Sequence, residues 1–235
     1  MASRLKLIAA IAVVGLLALG AASWWLWQGR AAAATPVLYV ALGASDAVGV
    51  GADQPAADGW VPLVRDGLPT GTRGTQLVNL GIDGATLADV LSQEMPIAVD
   101  THPDLVTLWS GVNDLRDGVS LETFGGQLDS LLGRLGGART RVVVLDLPDL
   151  RLLPAFNGQD SAALDATVQR WNAVIAAAAA RHGAVLVDLY AARAEFAHHP
   201  EYVSADGLHP SSAGYRRIAD LVLKAIDNHA ASTAP

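Results

Sequence analysis

Residues 37–51 read VLYVALGASDAVGVG, and this stretch decides the fold. Its first part, residues 37–42, is apolar and contains β-branched and aromatic side chains, which is typical of a strand buried on both faces. Gly43 and the small residue after it predict the end of that strand. Ser45 and Asp46 then follow directly beyond its carboxyl end. The stretch therefore predicts a buried strand that presents a serine where a parallel sheet binds its ligands.

Four further short apolar runs occur along the chain, each followed closely by Gly, Asn, Asp or Pro, which end strands. They lie at residues 77–80, 105–109, 142–147 and 184–189. Helical patterns occur at residues 60–68, 86–93, 121–135, 161–182 and 211–228. Because strands and helices alternate, we predict an α/β fold with a single doubly wound, five-stranded parallel sheet. Helices on both faces make it a three-layer α/β/α domain.

The charge balance of the chain excludes some classes of partner. The formal net charge is −7, from 16 Lys and Arg against 23 Asp and Glu. Residues 1–35 hold three bases and no acid, so the rest of the chain carries 13 bases and 23 acids, a net −10. Phosphate binding needs clustered bases, so we expect no nucleic-acid partner. The 51% hydrophobic content predicts a sizeable core, and the lack of cysteine excludes disulfides, thiolate metal sites and a cysteine nucleophile.

An uncharged apolar segment precedes the α/β pattern. Residues 7–27 form a run of 21 residues without formal charge. As a helix, such a run is long enough to cross about 30 Å of hydrocarbon. Arg4 and Lys6 precede it, which favours an N-terminus that faces the cytoplasm. We therefore predict one N-terminal transmembrane helix that holds the α/β domain outside the cytoplasm, in the periplasm or at the cell surface.

A cleaved signal peptide is the alternative for this segment. The small residues Ala32 and Ala34 offer a processing site, and cleavage would release a secreted protein. A buried helix of a soluble protein is a third interpretation. With a retained anchor, residues 1–35 are anchor and tether, residues 36–228 form one domain, and residues 229–235 are a flexible tail.

The residues that follow the predicted strands are the candidates for chemistry, because ligands of doubly wound sheets lie there. Ser45 is a candidate nucleophile. Gly84 offers a backbone N–H at the start of a helical pattern, and Asn113 offers an amide donor after the third strand. Asp206 lies three residues before His209, a spacing that lets the carboxylate bind Nδ1–H and leaves Nε2 to accept a proton. Taken singly, each residue also has an ordinary explanation as a cap or a turn.

Four blocks around these residues resemble the SGNH-hydrolase family, also called GDSL esterases and lipases. The blocks are GASD at residues 43–46, IDGAT at 82–86, GVND at 111–114 and DGLHP at 206–210, in the order that the family has. The resemblance implies the family's flavodoxin-like fold. Ala44 stands where the family's signature usually has aspartate, and Asp83 replaces a small polar residue.

As the resemblance implies, Ser45 attacks an ester carbonyl, His209 accepts the serine proton, and Asp206 orients His209. The oxyanion is held by the N–H groups of Ser45 and Gly84 and by the side-chain amide of Asn113. We expect no metal ion and no organic cofactor. The expected activity is that of a serine esterase or lipase on a small-molecule, lipid or acylated-glycan ester.

Three alternative functions stay open at this point. An O-acyltransferase would pass the acyl group to an alcohol in place of water. A membrane-tethered binding module would keep the fold with vestigial catalytic residues. A metal site would draw on His198 and His199 beside Asp206 and His209. In any of these, the apolar loop at residues 147–156 is expected to overhang the site, or else to pack on the domain.

Overall fold

The computed structural model describes residues 35–136 and 140–233. The predicted transmembrane segment at residues 7–27 lies outside these ranges. Within them, no helix has both the length and the apolar character that crossing a membrane requires.

A parallel sheet of five strands forms the centre of the domain. The strands are β1 (Val37–Gly43), β2 (Thr75–Asn79), β3 (Leu105–Trp109), β4 (Arg141–Leu145) and β5 (Val185–Val187). Their order is β2-β1-β3-β4-β5, which is that of a flavodoxin-like sheet, so the predicted five-stranded parallel α/β sheet is confirmed. The direction of strand order changes between β1 and β3, where Gly43 pairs with Trp109. Ligands of such sheets bind at this point.

Helices connect the strands on both sides of the sheet. The α-helices are α1 (Ser45–Val48), α2 (Pro55–Asp58), α3 (Trp60–Gly67), α4 (Leu87–Asp89), α5 (Met95–Thr101), α6 (Val112–Arg116), α7 (Leu121–Leu135), α8 (Ser161–His182), α9 (Arg193–Phe196) and α10 (Ser212–Thr233). A π-helical turn, Val90–Glu94, joins α4 to α5. Short 3₁₀ turns occur at Gly71–Arg73, Leu150–Leu152, Pro154–Phe156, Tyr190–Ala192 and Pro200–Tyr202.

Two apolar layers flank the sheet, one on each face. Successive residues of β1 alternate between them: Val40 and Leu42 belong to one layer, Tyr39 and Ala41 to the other. Helices α4, α5, α7 and α8 complete the first layer, and α3 and α10 the second. These four residues of β1 have no exposed surface. Burial of a large apolar side chain contributes about 1.5–3 kcal/mol, so this packing fixes β1 and the turn that follows it.

Two helical segments run further than predicted. The sequence predicts a helix at residues 86–93, whereas the helical segment continues through the π turn to Thr101. Pro96 directly follows the π turn, in the first turn of α5, and does not end the segment. Helix α10 continues to Thr233, beyond the predicted end at residue 228. Alanines in this stretch favour the helix, and the predicted flexible tail is helical over residues 229–233.

Two strands end earlier than predicted, β4 at Leu145 and β5 at Val187. An aspartate follows each of them and accepts a backbone hydrogen bond. The N–H of Leu189 donates to Asp146 at 2.7 Å, and the N–H of Ala191 donates to Asp188 at 2.7 Å. These bonds turn the chain out of the strand ladder at the carboxyl edge of the sheet.

Candidate active site

The turn between β1 and α1 places Ser45 at the carboxyl edge of the sheet. Gly43 has a φ of +144°, and a Cβ atom there would lie 2.4 Å from the carbonyl oxygen of Trp109. Only glycine fits, so the chain can turn sharply beside β3. Ser45 then begins α1, is 6% exposed and lines a cavity.

Ser45, His209 and Asp206 form one hydrogen-bonded series. Nε2 of His209 lies 2.8 Å from Oγ of Ser45. Nδ1 of the same ring lies 2.8 Å from Oδ2 of Asp206. The structure thus brings together the three side chains that the sequence singles out as nucleophile, base and orienting acid. Their spacing suits transfer of the serine proton to the imidazole.

Backbone hydrogen bonds hold the loop that carries Asp206 and His209. The N–H of Ser204 donates to the carbonyl of His209 at 2.8 Å, and the N–H of Gly207 donates to the carbonyl of Ser204 at 3.0 Å. Oδ1 of Asp206 accepts from the N–H groups of Leu208 at 2.8 Å and His209 at 2.9 Å. The carboxylate is therefore fixed in place, and its second oxygen sets the orientation of the imidazole.

Two carboxylates with shifted pKa values, Asp46 and Asp206, lie near the imidazole of His209. Partial burial raises the pKa of Asp206, but hydrogen bonds from the Leu208 N–H, the His209 ring and the His209 N–H together lower this pKa well below its ordinary value. Burial raises the pKa of Asp46 to about 6, and nearby His209 limits the rise. At neutral pH both carboxylates are therefore mostly ionised, so two negative charges lie near the imidazole of His209.

The three predicted oxyanion donors differ in how the structure presents them. Asn113 lies in the first turn of α6 and lines the cavity, and its Nδ2 donates to the carbonyl of Ala85 at 3.0 Å. In the part of the chain that is described, neither the N–H of Ser45 nor that of Gly84 has a hydrogen-bond partner. Gly84 has a φ of +76° and does not line the cavity. Its loop adjoins the site through Ala85, the partner of Asn113.

Two acids that the sequence does not single out hold the Gly84 loop. Asp114, fully buried on α6, accepts from the N–H of Leu87 at 3.0 and 3.1 Å. Burial raises the pKa of Asp114, and the bond from Leu87 limits the rise. Asp89 caps the same segment by accepting from the N–H of Thr86 at 3.0 Å and from its hydroxyl at 2.6 Å. The Thr-x-x-Asp spacing is a recognisable cap signal, whereas no local pattern reveals the long-range partner of Asp114.

A cavity of about 150 Å³ opens beside Ser45 and His209. Most of its other walls are apolar or aromatic, among them Trp109, Leu152, Leu153, Phe196, Tyr202 and Leu208. The sequence predicts that the loop at residues 147–156 either overhangs the site or packs on the domain, and the loop does both. Leu152 and Leu153 line the cavity, while Leu150 and Phe156 are buried in the core.

An ion-pair network ties this loop to α8. The guanidinium of Arg151 lies 2.6 Å from Asp149 and 3.1 Å from Asp165, which belongs to α8. Asp149 lines the cavity, and its side chain is 5% exposed. Because its charge is paired, the wall that it contributes presents little net charge to a ligand.

The two histidines of the alternative metal site have separate partners. Nδ1 of His198 lies 2.6 Å from the carbonyl oxygen of Ala194, whereas Nδ1 of His199 lies 2.7 Å from Oε1 of Glu201. Among residues 35–136 and 140–233, no group of three or more His, Cys, Asp or Glu side chains could hold a metal ion. A metal site built on this histidine pair therefore does not form in the described part of the chain.

Comparison with known families gives a match over most of the domain. A model described as the GDSL-like lipase/acylhydrolase family matches residues 41–217. This range contains Ser45, Gly84, Asn113, Asp206 and His209. A comparison with curated proteins gives no match.

Several solved structures share the fold. LAE5, an alpha/beta hydrolase enzyme from the metagenome of Lake Arreo, Spain, is 25% identical, with a TM-score of 0.68 over 82% of this chain and 95% of that one. A lipase/acylhydrolase from Enterococcus faecalis is 24% identical, with a TM-score of 0.67 over 82% of this chain and 96% of that one. The acetylxylan esterase Axe2 from Geobacillus stearothermophilus is 20% identical, with a TM-score of 0.67 over 83% and 95% of the two chains.

Proposed function

Since this chain belongs to the GDSL-like lipase/acylhydrolase family and is a carboxylic ester hydrolase, we propose that it works through an acyl-enzyme on Ser45. The contact of 2.8 Å between Oγ of Ser45 and Nε2 of His209 carries this proposal. A buried serine hydroxyl that bonds an imidazole, itself oriented by a carboxylate, is the arrangement of an activated nucleophile.

In the proposed reaction, Oγ of Ser45 bonds to the ester carbonyl carbon while Nε2 of His209 takes the hydroxyl proton. The carbonyl electrons move to oxygen, which the N–H groups of Ser45 and Gly84 and the amide of Asn113 hold. The bond to the alcohol oxygen then breaks, and the alcohol leaves with the proton from His209. Water adds to the acyl-enzyme in the same way and releases the acid. Asp206 keeps the Nδ1–H of the imidazole oriented throughout.

The contact between Asn113 and Ala85 supports the proposed role of the amide. An amide nitrogen carries two N–H groups, and the bond to the Ala85 carbonyl uses one of them. That bond fixes the plane of the amide. The second N–H is then left to donate to an oxyanion.

The apolar walls and the size of the cavity favour an ester with a short or medium apolar acyl chain. An apolar cavity of about 150 Å³ takes up a benzene molecule, which has six carbon atoms. The similar structures include a lipase/acylhydrolase and an acetylxylan esterase. A lipid and an acylated glycan therefore both stay candidate substrates for this chain.

The proposed place of action is outside the cytoplasm. The uncharged run at residues 7–27 with Arg4 and Lys6 ahead of it supports a membrane anchor for a catalytic domain at residues 36–228. Addition of protease to spheroplasts, whose outer membrane no longer shields the periplasm, tests this proposal. We expect the domain to be digested while a cytoplasmic marker survives, and protection of the domain would contradict it. Gel mobility of the mature protein distinguishes a retained anchor from a cleaved signal peptide.

Hydrolysis of p-nitrophenyl esters by the full chain tests the proposed mechanism. Ser45→Ala should abolish turnover and labelling by a fluorophosphonate, because no acyl-enzyme can form. Ser130→Ala, at an exposed position on α7, is the matched control and should leave both unchanged. Equal activity of wild type and Ser45→Ala would refute the mechanism. Addition of an alcohol acceptor measures how the acyl group divides between water and alcohol, and preferred transfer to the alcohol would identify an acyltransferase.

A further inference from the structure

A buried glutamate contacts the turn that carries Ser45. Oε2 of Glu94 accepts from the backbone N–H of Gly43 at 2.8 Å, across 51 positions of sequence. Glu94 is 1% exposed and ends the π-helical turn between α4 and α5. Gly43 precedes Ser45 by two residues. The carboxyl therefore bonds the peptide from which the nucleophile turn begins.

The pairing of β1 with β2 stops short of this N–H. β1 pairs with β2 up to Ala41 and Asn79, and beyond that point β2 leaves the ladder. A buried N–H without an acceptor is unfavourable, so a side chain must supply one. Glu94 does so from the segment that follows the Gly84 loop.

The carbonyl of the same glycine accepts a hydrogen bond from the start of that loop. The N–H of Ile82 donates to the carbonyl of Gly43 at 3.1 Å. The segment from Ile82 to Glu94 is thus attached to Gly43 at both of its ends, and Gly84 lies between the two attachments. One residue, Gly43, therefore relates the position of Ser45 to that of Gly84 through its N–H and its carbonyl.

The acid is held at a site that suits an apolar residue. Oε1 of Glu94 is buried and has no hydrogen-bond partner within the described residues. The neighbours Val90 and Met95 are fully buried in the core. Burial raises the pKa of Glu94 to about 7, and the bond from Gly43 limits the rise. A leucine would avoid these costs of burial, but it cannot accept a hydrogen bond. π turns that interrupt α-helices also occur frequently at functional sites.

We propose that Glu94 is a positioning residue for the esterase reaction, which fixes the Ser45 turn relative to the Gly84 loop through the Gly43 N–H. This proposal rests on the proposed function of Ser45. It concerns no direct contact with substrate. Small errors in the placement of reacting groups reduce the chemical step more than they reduce substrate binding.

Kinetics of three variants of the full chain test the proposal. We expect Glu94→Leu to lower kcat by on the order of tenfold to a hundredfold, with KM within about twofold. Glu94→Gln keeps an acceptor oxygen and should restore kcat to near the wild-type value. Glu122→Leu, at an exposed glutamate of α7, is the matched control and should behave as wild type. A folded Glu94→Leu protein with wild-type kcat would overturn the proposal.

A second measurement does not depend on activity or on the folding of the leucine variant. Glycine-selective ¹⁵N labelling reads amide hydrogen exchange at Gly43 in the wild type and in Glu94→Gln. We expect slow exchange in both, compared with the exposed Gly158. Exchange at Gly43 as fast as at Gly158 would remove the hydrogen bond and with it the proposal. A wild type without esterase activity but with a protected Gly43 would instead contradict the proposed function and leave the bond between Glu94 and Gly43 established.

Discussion

The volume of the cavity beside Ser45 predicts the preferred acyl chain. Each buried methylene contributes about 0.8 kcal/mol, which corresponds to roughly a fourfold gain in kcat/KM. The gain should continue until the cavity of about 150 Å³ is full. That volume corresponds to about six carbon atoms. We therefore expect kcat/KM to rise from the acetyl ester to about the hexanoyl ester and to fall for longer chains.

Leu153→Ala tests this reasoning because Leu153 lines the cavity. The substitution removes three carbon atoms from the wall, so the preferred chain should lengthen by about two or three carbons. For the octanoyl ester, two additional buried methylenes correspond to roughly a tenfold or larger gain over wild type. The acetyl ester should gain nothing, because its methyl group is too short to reach the new space.

The assay is the steady-state hydrolysis of p-nitrophenyl esters from two to twelve carbons by both proteins. Ile97→Ala is the control, since Ile97 is 49% exposed on α5 and does not line the cavity. It should leave the chain-length profile unchanged. An optimum at the same chain length in wild type and Leu153→Ala would refute the reasoning. A wild type that prefers the dodecanoyl ester would do so as well.

Two further outcomes follow from contacts at the edge of the sheet. If the amide of Asn113 holds the transition-state oxyanion as proposed, Asn113→Ala should lower kcat about 10²–10³-fold with little change in KM, and initial-rate kinetics measure this directly. Burial, and after it the charge of Asp188, raise the pKa of Asp146 to about 7, although the N–H bonds from Leu189 and Tyr190 lower it. The folded protein therefore favours the neutral form of the Asp146 side chain. The unfolding free energy should therefore fall as pH rises from about 4 to about 7, by roughly 4 kcal/mol from this group. Asp146→Asn should abolish that part of the pH dependence in urea titrations, and an unchanged slope would contradict the assignment.

Much of the fold could be predicted from the sequence because its determinants are local. Apolar runs ended by glycine or a polar residue identify all five strands, and α7 and α8 begin and end at the predicted residues. The cap residues explain this accuracy. Ser120 and Asp160 accept backbone N–H bonds at the first turns of α7 and α8, and Gly183 ends α8 in a left-handed conformation.

The candidate site also contains some contacts that local sequence predicts and others that it does not. Asp206 and His209 are three residues apart, so their contact follows from spacing, and Ser45 is recognisable from its position after an apolar strand. The contacts of Glu94 with Gly43 and of Asp114 with Leu87 join residues far apart in sequence. No periodicity encodes such pairs. They become visible only when the sheet places the segments side by side, as do the walls of the cavity.

The direction of β1 also determines where the two chain ends of the domain lie, and therefore where it can be attached to a support or a linker. β1 runs from Val37 to Gly43, and its seven residues span about 23 Å, so the chain reaches the sheet at the edge opposite Ser45. Helix α10 returns to that same edge, where Ala230 and Val37 line one shallow groove. Both ends of the domain are therefore near each other and remote from Ser45. Immobilisation on a solid support through either end should leave substrate access intact, and a linker joining the two ends should permit circular permutation of an active enzyme.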